Sequence, residues 1–185
     1  MTARVALTYQ DYATLPDDGK RYEIHDGELW EMPGPTLLHQ IVLAALFRVL
    51  DAHVRARNLG LVLFAPLDVI LSDTPTETTI LQPDLVYVEN ARREALHVRG
   101  VEGPPTLAVE VLSPTTATID RTTKRALYAR YGVPCLWLVD LEARVIEAHV
   151  LRAGAYVVAV AASGTQPVDL PPFTDLGLVP SALWP

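Results

Sequence analysis

Two apolar strands in this chain each carry one acidic residue where an aliphatic one would pack. Ile80-Leu81-Gln82-Pro83-Asp84-Leu85-Val86-Tyr87-Val88 and Leu107-Ala108-Val109-Glu110-Val111-Leu112 both read as strands. Alternate residues of a strand share a face. Asp84 therefore sides with Val86 and Val88, and Glu110 with Ala108 and Leu112. A carboxylate inside a core needs a partner or a metal, because losing its hydration costs several kcal/mol. Two on neighbouring strands repel each other unless a cation joins them. The next helix supplies one. Asp120, Lys124, Leu127, Tyr128 and Tyr131 follow helical spacing, and the apolar members turn Lys124 inward. Two carboxylates and a lysine at one place suit metal-assisted phosphodiester cleavage.

The 185 residues suffice for one domain with a real core, and the span 1–185 is read as a single domain. No apolar run approaches the roughly 20 residues of a membrane helix, and the first residues lack the pattern of a signal peptide. Cys135 is the only cysteine, so no intrachain disulfide is possible. A cytoplasmic protein with no membrane partner is expected. The net charge of −7 argues against a broadly basic nucleic-acid binder, though not against a local basic patch or ions bridging acids to phosphate. The Pro-rich tail from Gln166, with Leu170, Phe173, Leu176, Leu178, Leu183 and Trp184, and the 50% hydrophobic composition point to surface left to bury, hence a homo-oligomer.

Along the chain, Thr8 caps a short helix from Tyr9 to Leu15, with Asp11 as a capping-box partner. Asp26-Gly27 between alternating runs marks a hairpin. Thr36 caps a long helix from Leu37 to about Asn58, closed by Gly60, whose apolar stripe packs on a sheet. Strands over 61–71, 80–88 and 107–112 follow, the first two joined by the polar stretch 72–77. Residues 89–105 read as a surface connection with one helical turn. A helix over 119–131 ends at Gly132 and Pro134. A buried strand, Cys135 to Val139, precedes a hairpin of 144–151 and 155–160 turned at Ala153-Gly154.

Simpler readings compete at each candidate. Asp120 and Lys124 can form a surface pair worth a few tenths of a kcal/mol. Asp84 can sit at a strand edge, since Pro83 removes a ladder donor. Glu110 can pair with Arg121 or Arg125. His39 reads first as a packing or capping residue, Glu23, Glu28 and Glu31 as solvated strand positions, and Asp68 as an exposed one. The histidines have no metal-ligand spacing. No glycine-rich phosphate loop is present, and Ser113 is not in a Gly-flanked nucleophile turn.

Tyr22-Glu23, Asp26-Gly27-Glu28-Leu29 and Glu31-Met32-Pro33, followed by His39, Gln82-Pro83-Asp84-Leu85, Glu110-Val111-Leu112-Ser113-Pro114, Asp120, Lys124, Tyr128-Ala129 and Gly132-Val133-Pro134, form a recognisable series. It resembles the Uma-two family of restriction endonucleases, within the PD-(D/E)XK nuclease superfamily. The resemblance covers most of the chain and implies an α/β, restriction-endonuclease-like fold, with a mixed central β-sheet flanked by helices. It makes Asp84 and Glu110 the two motif acids. The superfamily lysine usually lies two residues beyond the second acid, where this chain has Leu112. In the Uma-two pattern it moves to the following helix, here Lys124.

The expected activity is metal-dependent hydrolysis of nucleic acid, with DNA as the substrate and Mg²⁺ or Mn²⁺ as the cofactor. Asp84, Glu110 and the Val111 carbonyl would hold the metal, and Lys124 would orient the attacking hydroxide or neutralise the transition state. His39, Glu31 and Asp120 are candidate accessory residues. The alternative is a module that keeps the nuclease fold to bind or assemble without cutting.

Overall fold

Two prolines decide the topology. The computed structural model describes residues 6–74 and 76–185. The run 61–71, read from sequence as one strand, breaks at Pro66 into β3 (Gly60–Phe64) and β4 (Val69–Thr74). The run 80–88 breaks at Pro83 into β5 (Glu77–Leu81) and β6 (Leu85–Glu89). Proline has no N–H for a central ladder. At each break the chain leaves one sheet for another. Ala65 N–H donates to the Asp84 carbonyl at 3.1 Å and pins the two crossings together. The stretch 72–77, expected as a loop, is mostly the close of a β4–β5 hairpin, and Pro75 lies outside the described residues.

One six-stranded mixed sheet is ordered β12-β11-β10-β9-β6-β3, from β9 (Leu107–Leu112), β10 (Cys135–Asp140), β11 (Val145–Arg152), β12 (Ala155–Ala162), β3 and β6. The β9–β10 pair is parallel, and its neighbours are antiparallel. The other sheet is ordered β2-β1-β5-β4-β8-β7 and includes β1 (Arg21–His25), β2 (Glu28–Met32), β7 (Leu96–His97) and β8 (Gly100–Glu102). Mixed sheets flanked by helices are the expected α/β architecture, and the proline crossings carry the chain between the two sheets. The β1–β2 turn has Asp26 and Gly27 both at positive φ, 50° and 81°, as an Asp-Gly hairpin requires.

The helix α1 (Tyr9–Ala13) starts at the Thr8–Asp11 capping box but stops before Leu15. Helix α2 (Leu37–Ala56) starts on Thr36, whose hydroxyl accepts from His39 N–H at 3.2 Å. Asn58, not Gly60, takes the left-handed conformation after it, at φ 52°. Gly60 is needed for another reason: a Cβ there would stand 2.1 Å from the Val88 carbonyl oxygen. By length and hydropathy α2 could cross a membrane, but Val42, Leu46, Leu50 and Val54 on it are core residues.

The strand β9 is covered on both faces. Leu107, Val109 and Val111 face a core shared with α2. Ala108 and Leu112 face a second core shared with α4 (Arg125–Arg130). Burying such alternating strands on both faces is the main stabilising term, at about 25 cal/mol per Å² of apolar surface. The tail corrects an expectation. Leu170, Phe173, Leu178, Leu183 and Trp184 are buried against the α2 side of the sheet rather than left exposed. The stretch 89–105 holds a 3₁₀ turn, Asn90–Ala95, and the short strands β7 and β8.

Candidate active site

Strand alternation puts Asp84 and Glu110 on the side of the sheet that faces α4, where Val86, Val88, Ala108 and Leu112 also pack. The helix opposite is irregular. A short α3 (Ala117–Ile119) runs into one π turn, Asp120–Lys124, and then α4. Arg125 N–H reaches the Asp120 carbonyl, the i→i+5 bond that widens the turn. Asp120 and Lys124 both point inward from it and are buried.

The Lys124 ammonium is 2% exposed and sits among three carboxylates. Its Nζ lies 2.7 Å from Glu110 Oε1, 3.1 Å from Glu23 Oε1 and 3.6 Å from Asp120 Oδ1. Burial alone would lower its pKa. Glu110, Glu23 and Asp120 outweigh burial and raise it, so the group is a permanent cation. Tyr128 OH donates to Glu110 Oε1 at 2.6 Å. Burial drives the Glu110 pKa well above the ordinary carboxylate range. Lys124 opposes this, while Asp120, Asp84 and Glu23 add to it. Asp120 is raised mainly by burial as well, against the pull of Lys124. Glu23 moves the other way: its full burial is overcome by Lys124, His25 and the Gln82 N–H, which together lower it.

Asp84 is held by a different pair. Val111 N–H donates to its Oδ2 at 2.8 Å, and His39 Nε2 lies 3.1 Å from the same oxygen. This contact follows from the register. Leu85 pairs with Val109 in the antiparallel β6–β9 ladder, so Pro83 falls opposite Val111. Proline cannot donate to the Val111 carbonyl, and the Val111 N–H is taken by the Asp84 side chain instead.

One cavity joins these groups. It is ≈ 30 Å³ and is lined by Glu23, His39, Asp84, Glu110, Asp120 and Lys124 among others. That is room for about two waters. Each motif acid commits one oxygen to protein donors. Asp84 Oδ1 and Glu110 Oε2 receive no hydrogen bond from a described residue. Among the described residues no three His, Cys, Asp or Glu side chains form a ready-made metal cage. Two carboxylate oxygens and the Val111 carbonyl still suit a hard ion that keeps most of its waters, as Mg²⁺ does.

The structure brings together Asp84, Glu110, Lys124, Asp120, His39 and Val111. It does not bring in Glu31, whose exposed side chain binds Lys20 at 2.7 Å on the surface. The arginines proposed as partners of Glu110 go elsewhere. Arg121 binds Asp140 and Glu147, and Arg125 donates to the Tyr156 carbonyl. Asp68 is partly buried and accepts from Tyr12 OH and Gln82 Nε2. Sequence reasoning missed Glu23, which is fully buried and bonded to Lys124, to His25 Nε2 at 2.7 Å and to Gln82 N–H at 2.9 Å. The available signal was Lys124 itself, an inward ammonium in need of anions.

A mixed α/β domain with one acid at a strand break, a second within the neighbouring strand and a lysine facing them has the restriction-endonuclease-like fold. A putative nuclease of DUF820 from Anabaena variabilis ATCC 29413 has the same fold, at TM-score 0.72 and 17% identity over 96% of this chain and 97% of that one. The model of the Uma2 family, described as "Putative restriction endonuclease", matches residues 9–181. The chain belongs to the Uma2 family. No curated protein matches it.

Proposed function

We propose that this chain is a metal-dependent nuclease that hydrolyses phosphodiester bonds of DNA. One observation carries the reading. Asp84 and Glu110 each leave an oxygen without a protein donor at a cavity they share with a buried, permanently charged lysine. Asp84, Glu110 and the Val111 carbonyl would hold Mg²⁺ or Mn²⁺. A bound ion of this kind supplies positive charge to the phosphate and a water of lowered pKa.

The chain's own groups divide the remaining work. Its raised pKa keeps Lys124 in the ammonium form, so it is not the general base. It acts as a fixed donor and positive charge for a phosphate oxygen or the attacking water. Glu23 and Asp120 keep that ammonium in place, and His39 with the Val111 N–H keeps Asp84 in place. Holding groups in reacting geometry is a large part of such catalysis, since little covalent work falls to the protein.

The test is a cleavage assay on duplex DNA, single-stranded DNA and RNA with Mg²⁺ or Mn²⁺, with Asp84→Ala alongside. Metal-dependent cutting of DNA that Asp84→Ala abolishes is expected. Equal cutting by both proteins, or none by the wild type on any substrate with either ion, refutes the reading. Binding of DNA without cutting would favour the non-catalytic module instead.

A further inference from the structure

The catalytic cavity has an acidic floor and a cationic rim. Glu23, Asp84, Glu110 and Asp120 are buried, and among them only Lys124 is a permanent cation. The rim is half-buried or exposed: Arg21, Met32, Pro33, Gly34, Pro35 and Thr116. Among the described residues Arg21 is its only charged one. It lies on β1 two residues from Glu23, so the two share a face of that strand. Its backbone partner across the hairpin is Met32, which leads into the exposed Pro33–Pro35 loop.

Arg21 is held but not neutralised. Its Nε donates to Gln82 Oε1 at 3.2 Å and one terminal nitrogen to the Gln82 carbonyl at 2.9 Å. Both acceptors are neutral. Among the described residues no carboxylate forms an ion pair with Arg21, although four line the same cavity. The other terminal nitrogen has no described partner. The neighbouring Lys20 is already tied to Glu31. Gln82 is itself fixed, donating from Nε2 to Tyr12 OH at 3.0 Å and to Asp68 Oδ1 at 2.8 Å. A guanidinium oriented in advance, with spare donors and no anion of its own, is built for a phosphate.

We infer that Arg21 is the phosphate-binding residue at the mouth of this site, gripping a backbone phosphate of the nucleic acid while Lys124 and the two motif acids act from below. The inference rests on the nuclease reading and adds where the substrate is held. The four carboxylates are buried at the floor, so an approaching substrate meets the rim first. There a negative phosphate approaches a floor of four carboxylates, and Arg21 is the cation it reaches first.

The experiment measures equilibrium binding of a short fluorescein-labelled DNA duplex, with Ca²⁺ in place of Mg²⁺, across a potassium chloride titration. Wild type, Arg21→Gln and Arg21→Lys are compared, and calorimetry with Mg²⁺ alone gives each protein's metal affinity. Arg21→Gln should weaken DNA binding about tenfold at low salt and make the log–log salt slope shallower by about 0.9. Arg21→Lys should restore the slope but only part of the affinity, since it keeps the charge and loses the fork. Mg²⁺ affinity should stay at the wild-type value in both variants. Wild-type DNA affinity and slope in Arg21→Gln would overturn the assignment. So would a loss of Mg²⁺ binding in that variant, which would make Arg21 a brace for the Gln82-Pro83-Asp84 turn. A wild type that neither cuts DNA nor binds it in a salt-dependent way overturns the nuclease reading and the Arg21 assignment with it.

Discussion

Replacing Lys124 with methionine keeps the volume of the stem and removes the charge. The result should be a large loss of stability as well as of activity. Three buried carboxylates have oxygens within 3.6 Å of the ammonium. Removing one partner of a buried ion pair costs about 3–5 kcal/mol, because the remaining charge stays buried and uncompensated. For a domain of this size each kcal/mol shifts Tm by about 2–4 °C, so a fall of roughly 6–20 °C is expected at neutral pH without metal. The pH dependence has a definite sign. Glu110 and Asp120 have raised pKa values in the folded protein, and Lys124 is the main group holding them down. A carboxyl whose folded pKa exceeds its unfolded one contributes stability below the unfolded value, and that contribution is lost as pH rises through the folded value. Without Lys124 the folded values climb further, so the variant's deficit should be largest at neutral pH and shrink on acidification. An ion that binds the two motif acids should also return stability, by about 2.7 kcal/mol at a hundred times its Kd. Thermal melts at neutral and acid pH, with and without Mg²⁺, test all three points. A neutral-pH Tm within a degree or two of wild type would refute the reasoning.

Glu110→Gln removes one carboxylate of the proposed metal site and should weaken Mg²⁺ binding in calorimetry; equal binding by both proteins would make Glu110 purely structural. Glu23→Ala deletes a fully buried carboxylate whose oxygens bind Lys124, His25 and Gln82. It should cost about 3–5 kcal/mol in denaturant unfolding, whereas a solvated strand glutamate would cost almost nothing. Phe173→Ala opens a hole beside Tyr87 and Trp137, whose ring centroids lie 4.9 and 6.0 Å away. It should cost about 3–5 kcal/mol, and a loss below 1 kcal/mol would mean that the tail is only loosely laid on the sheet.

The faces of Asp84 and Glu110 were legible because period-2 alternation is strict and the surrounding residues are aliphatic. Lys124 was legible because Leu127 and Tyr131 mark its helix face. Glu23 was not. Arg21-Tyr22-Glu23-Ile24-His25 alternates like a half-solvated hairpin strand, but β1 lies between β2 and β5, and both Glu23 and Ile24 are fully buried. Polar alternation marks solvent only where one face stays open, and here the second face meets the site. Splitting the long strand runs was hinted at by Pro66 and Pro83. What no local pattern showed is that each proline sends the chain into a different sheet. The tail misled for a related reason: a Pro-rich stretch carries no periodicity, so its anchors gave no sign that the cover they supply lies within the same chain.

Lys124 bonds Glu23 from one sheet and Glu110 from the other. It is therefore a rivet between the two halves of the molecule as well as part of the proposed chemistry. If the proposed role holds, selection against unfolding and selection for cutting act on the same side chain and cannot be told apart by its retention. A descendant that gave up cleavage would still have to keep this lysine. The trace of lost activity would be written in Asp84, whose idle Oδ1 the fold can do without.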